Sequence, residues 1–130
     1  MSADLSGRWT GAYFYGPSMR SFGFTAQLRD AGGALSLLID DDPSPLHRGA
    51  ALLSATASGS REGSSVRFTK IYDDLVRFPD PVHYEGEVDA DEAEIAGRWS
   101  IRGVSGTFIM TRPRQRAAVR ERAVEELLPR

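Results

Sequence analysis

The residues best equipped for chemistry are one amine and a set of aromatic side chains. Lys70 is the only lysine among sixteen Lys and Arg residues. It stands two positions after Phe68 and two before Tyr72, so an extended strand puts all three on one face. Tyr13, Tyr15, Phe24, Tyr84, Trp99 and Phe108 sit at the apolar positions of other alternating runs. A buried amine or phenol needs a partner, because leaving it unsatisfied costs about 2–7 kcal/mol. Two arrangements meet that need. Either these groups pair with one another or reach water at a rim, or they line a cavity and grip the polar end of a ligand. A Schiff-base lysine requires an activating partner, and no candidate stands near Lys70 in the sequence.

The other candidates carry less. Asp40-Asp41-Asp42 lacks the Asp-x-Asp-x-Asp-Gly spacing and distal Glu of a calcium loop, and reads as a solvated acidic loop. His47 and His83 are the only histidines, and neither has a second ligand at strand or helix spacing, so no metal or haem is expected. There is no Gly-x-Ser-x-Gly elbow and no Gly-rich phosphate loop. Glu85 and Glu87 share one face, expected to be the solvent face, which makes them a poor acid/base pair. With no cysteine, disulfides, thiolate catalysis and sulfur-ligated metals are excluded. The net charge is −2, and Arg20, Arg29, Arg67, Arg98 and Arg102 are interleaved with acids, which argues against a nucleic-acid surface. No apolar run approaches the eighteen or so residues of a membrane helix. The N-terminal residues show no secretory pattern, so a cytoplasmic location is expected.

The elements that position these residues are strands. Turn-forming clusters near residues 16–18, 30–33, 40–49, 60–65, 73–81, 89–92 and 103–105 divide one domain of 130 residues into eight short segments. Phe22, Phe24, Ala26 and Leu28 alternate with polar residues, as do Leu35, Leu37 and Ile39, and Ile95, Gly97, Trp99 and Ile101. The fourth segment, 50–59, is rich in Ala and Ser, and its facing is open. The expected fold is all-β: an eight-stranded antiparallel up-and-down β-barrel over about 5–112, with a two-sheet sandwich as the alternative. Residues 114–128 change to helical spacing, which predicts a C-terminal α-helix packed on the barrel or joining two copies in a homodimer. Gly-Arg-Trp occurs at both 7–9 and 97–99, each an inward-Trp, outward-Arg strand segment.

Leu5-Ser6-Gly7-Arg8-Trp9 resembles the opening of the calycins, the group that holds the avidins and lipocalins. Gly33-Ala34-Leu35-Ser36, Tyr84-Glu85-Gly86-Glu87 and the run from Ile95 to Ile101 are similar to avidin strands. The resemblance implies a barrel whose first Trp packs across one end. A basic residue at the end of the last strand, Arg112 or Arg114, would then stack on Trp9. Where avidins place polar biotin ligands, this chain has Gly11, Tyr15, Ile39, Val82 and Gly106, so biotin recognition is not implied.

The functional expectation is binding of a small, partly hydrophobic or aromatic molecule inside the barrel, by Tyr13, Tyr15, Phe24, Phe68, Lys70, Tyr72, Tyr84, Trp99 and Phe108. Two alternatives stand beside it: an isomerase- or cyclase-type enzyme in the same cavity, and a filled barrel that acts through its C-terminal helix. The two long connections, 40–49 and 73–81, follow odd-numbered strands and so share one end. That end is the expected entrance, with Leu46 and Phe78 as lid residues.

Overall fold

The computed structural model describes residues 4–15, 20–42 and 53–113. Eight strands run β1 (Gly7–Tyr15), β2 (Arg20–Ala31), β3 (Ala34–Asp41), β4 (Leu53–Glu62), β5 (Ser65–Tyr72), β6 (Val82–Val88), β7 (Glu94–Ile101) and β8 (Val104–Thr111). Each pairs antiparallel with the next, and β1 also pairs with β8, from Thr10 opposite Thr111 to Phe14 opposite Thr107. The result is a closed up-and-down barrel with no unpaired sheet edge. The expected C-terminal helix at 114–128 lies outside the described residues, as do Leu46 and His47.

Local sequence explains the connections at one end. Gly32 and Gly33 both have positive φ, the backbone that a two-residue hairpin turn between twisted strands requires. Arg102 and Gly103 repeat that geometry between β7 and β8 at the other end. β4 runs on through Arg61 and Glu62, past the expected end at Gly59. Ala and Ser differ too little in hydrophobicity to mark a register. Pairing with β3 and β5 sets it instead, turning Leu53, Ala55 and Ala57 inward.

Alternation decides what fills the barrel. Leu35, Leu37 and Ile39 of β3 are buried, as are Val66 and Phe68 of β5. The outer wall is polar: Arg67, Glu85 and Arg98 lie side by side across β5, β6 and β7, so unlike charges neighbour each other.

One end is closed by side chains. Trp9 has no exposed surface and donates its indole N–H to the Leu5 carbonyl at 2.9 Å. The Arg112 guanidinium lies 4.7 Å from the Trp9 ring centre, in the position expected for a terminal basic residue. It also donates to the carbonyls of Asp4, Ser6 and Glu92 at 3.0–3.1 Å, tying the residue after β8 to the segment before β1 and to the β6–β7 connection.

Candidate functional site

At the opposite end the strand termini enclose a pocket of about 180 Å3. Six of the sequence-selected residues line it: Tyr13, Tyr15, Lys70, Tyr72, Tyr84 and Trp99. Phe78, expected as a lid, also lines it and lies 5.2 Å from Tyr72 between ring centres. The other three selected residues, Phe24, Phe68 and Phe108, are buried in the barrel rather than in the pocket wall. Phe68 stacks on Tyr84 at 4.8 Å, and Phe108 meets both rings edge-on. These rings fill the middle of the barrel and support the pocket from below.

Trp99 owes its position to a glycine. It faces Gly106 on β8, and a Cβ there would come within 2.6 Å of the indole ring and against the Phe14 carbonyl. The ring therefore lies over bare backbone, and its N–H donates to the Phe14 carbonyl at 3.2 Å. Tyr15 meets Trp99 at 4.8 Å and Tyr13 meets it at 6.4 Å, both edge-to-face.

The central chemical feature corrects the reading of residues 40–42 as a solvated loop. Asp41 belongs to β3, is 1% exposed, and faces inward. It is paired in register with Phe24 on one side and Leu53 on the other. The missed signal was the period of two: Leu35, Leu37 and Ile39 continue to Asp41. Three neighbouring acids look like a loop by composition, but the strand extends two positions into them. Asp40 faces the other way and accepts from the Ser54 hydroxyl at 2.7 Å.

Asp41 supplies the partner that Lys70 lacked in sequence. Lys70 Nζ donates to Asp41 Oδ2 at 3.2 Å, and both side chains are at most 2% exposed. The Tyr72 hydroxyl donates to the same oxygen at 2.6 Å, and the Tyr13 hydroxyl at 3.5 Å. Asp41 Oδ1 has no hydrogen-bond partner among the described residues. β3 and β5 flank β4, which presents only Ala55 inward beside Tyr72, so the longer side chains meet across it.

Lys70 also sits in an aromatic cage. Its Nζ lies 4.5 Å from the Tyr72 ring centre, 5.1 Å from Tyr13 and 5.3 Å from Tyr84. Burial pushes the amine below its ordinary pKa, while the Asp41 charge and hydrogen bond oppose that shift. Burial and the Asp41 charge raise the Tyr13, Tyr72 and Tyr84 hydroxyls well above their ordinary value, so the phenols stay neutral donors. The site thus places a cationic or neutral amine, a carboxylate and several phenols against an aromatic pocket.

Among the described residues no cluster of three or more His, Cys, Asp or Glu side chains is placed to hold a metal ion. His83 is exposed and contacts the Thr69 hydroxyl at 3.1 Å.

No protein-family model matches the chain, and no curated protein matches it. Among solved structures the chain is similar to a redesigned beta barrel at 12% identity. The match covers 84% of this chain and 91% of that one with a TM-score of 0.67, and at that identity the likeness is one of fold alone.

Proposed function

We propose that the protein binds a small, partly apolar molecule carrying one aromatic ring in the end pocket of a calycin-type barrel. The carrying observation is the pocket of about 180 Å3, whose wall combines aromatic rings with the buried Lys70 amine. Its size sets the ligand. An apolar cavity of about 150 Å3 accepts benzene, so this pocket suits a single ring with a short substituent rather than a lipid. Edge and face contacts from Tyr15, Tyr84 and Trp99 would hold the ring, and Lys70 would meet a polar substituent.

The ion pair favours the same reading. Two buried charges rarely stabilise a fold more than apolar side chains of similar volume would. Lys70 of that pair lines the pocket, with Asp41 directly behind it, so a ligand's polar group has a use for the pair. The barrel's polar outside and apolar inside are the inverse of a membrane-spanning barrel, which supports ligand capture from water.

Ligand-observed NMR against single-ring acids, aldehydes, alcohols and amines tests this, with thermal unfolding in parallel. A ligand at about 100 times its Kd should stabilise the fold by roughly 2.7 kcal/mol. Its binding should quench Trp99 and be lost in Trp99→Ala. No binder in such a library, and no co-purified molecule in native mass spectrometry, would overturn the proposal.

A further inference from the structure

We propose that Lys70 is a carbonyl-capturing amine, so that the pocket takes a small single-ring aldehyde and holds it as an iminium on Nζ beside Asp41. The inference rests on the reading that the pocket binds a one-ring ligand, and it names the chemical class.

Three geometric facts carry it. Lys70 is part of the pocket wall, so a carbonyl carbon entering the pocket meets the amine. A carboxylate lies 3.2 Å from that amine and is held on one oxygen by Tyr72, which leaves its other oxygen without a partner among the described residues. The cation would remain where the fold already accommodates one, within 5.3 Å of three tyrosine ring centres and against the same carboxylate. An iminium therefore replaces an ammonium without adding a buried charge.

The step balances with no further reagent. The Lys70 ammonium passes one proton across the 3.2 Å contact to Asp41, turning the buried ion pair into a neutral pair. The lowered affinity of Lys70 for its proton eases this transfer. The free amine attacks the carbonyl carbon. A C–N bond forms, the C–O π pair moves to oxygen, and an amine proton follows it to give a carbinolamine. Asp41 then protonates the carbinolamine hydroxyl. The C–O bond breaks, water leaves, and the nitrogen lone pair forms the C=N bond. The products are an iminium, a carboxylate and one water. Tyr72 acts as a positioning residue, fixing Oδ2 by its 2.6 Å hydrogen bond.

The chain offers an unusually clean test, because Lys70 is its only lysine. Wild-type protein is incubated with benzaldehyde and sodium cyanoborohydride at neutral pH, followed by intact mass and peptide mapping. In parallel, ligand-observed NMR measures noncovalent binding of benzyl alcohol, which has no carbonyl. The expected result is one benzyl adduct on Lys70, formed more than about tenfold faster than on an exposed lysine of ordinary pKa, and slowed by benzyl alcohol. Benzyl alcohol binding without a Lys70 adduct, or with an adduct only at the α-amine, overturns the capture and leaves the pocket reading intact. Failure of both compounds to engage the pocket overturns both.

Discussion

Replacing Asp41 with Asn removes one charge while keeping the side chain's size and an oxygen acceptor for Tyr72. Lys70 then keeps its amine in a site that leaves its side chain 2% exposed, with no counter-charge at 3.2 Å. Removing one member of a buried pair costs about 3–5 kcal/mol, a large share of the roughly 5–15 kcal/mol that holds an ordinary domain together. The deficit should also depend on pH. The Lys70 pKa is lowered in the folded protein relative to 10.5, so stability is reduced at low pH and recovers as pH rises from the folded value toward 10.5. Asp41 opposes that lowering, both as a charge and as a hydrogen-bond acceptor. Without it the folded value falls further, the recovery begins at lower pH, and the gap between variant and wild type narrows as pH rises. Tyr13, Tyr72 and Tyr84 have raised folded values, so their contribution is lost only above the unfolded value of 10.0. The comparison therefore belongs between about pH 6 and 9. Urea unfolding followed by tryptophan fluorescence measures it. A deficit under about 1 kcal/mol at pH 6, or one that widens toward pH 9, would refute the account of a charge-paired lysine. The double variant Asp41→Leu with Lys70→Met should be less destabilised than either single change, since no charge is left stranded.

Other perturbations probe the two ends of the barrel separately. Trp9→Ala should cost about 3–5 kcal/mol in urea unfolding, because the ring is wholly buried at the closed end; a loss under about 0.5 kcal/mol would place Trp9 outside the core. Tyr72→Phe removes a 2.6 Å hydrogen bond to a buried carboxylate and should cost about 1.5–3 kcal/mol while leaving the barrel folded by circular dichroism. Gly106→Ala places a Cβ against the Trp99 indole and the Phe14 carbonyl. It should destabilise by about 1–3 kcal/mol and shift Trp99 fluorescence, whereas an unchanged spectrum would mean that the ring does not rest on the glycine.

The strand pattern was legible because one side of nearly every strand meets water and the other meets core. Phe22, Phe24 and Leu28, and Ile95, Trp99 and Ile101, fall on alternate positions, so the facing of such strands follows directly. The fourth strand was not readable, since Ala55, Ala57, Ser54 and Ser58 give almost no contrast between faces. Its register came from its neighbours, which local sequence does not encode. Phe24, Phe68 and Phe108 show a different limit. Alternation places a side chain inside the barrel, but not at a height along its axis, and height separates pocket wall from filled core.

The central pair is hard to read from the sequence because its two members sit in unlike surroundings: Lys70 in an alternating run, Asp41 among acids. Val66 and Phe68 set the phase of β5 and turn Lys70 inward. The same phase argument applied to Leu35, Leu37 and Ile39 carries Asp41 inward too, yet two flanking acids made the segment resemble a loop. Composition outweighed periodicity where periodicity was the better guide. An inward lysine in a closed barrel raises an immediate demand for an inward acid near the same end, because a lone buried charge costs several kcal/mol. β3 and β5 both end at the pocket end of the barrel, at Asp41 and Tyr72. In an up-and-down barrel, odd-numbered strands finish at the same end, so topology alone narrows the search for that acid to their last inward positions. Tyr15, Asp41, Tyr72 and Ile101 occupy the ends of β1, β3, β5 and β7, and Asp41 is the only carboxylate among them. The pairing follows from strand parity and charge balance together, neither of which acts through neighbouring residues in the sequence.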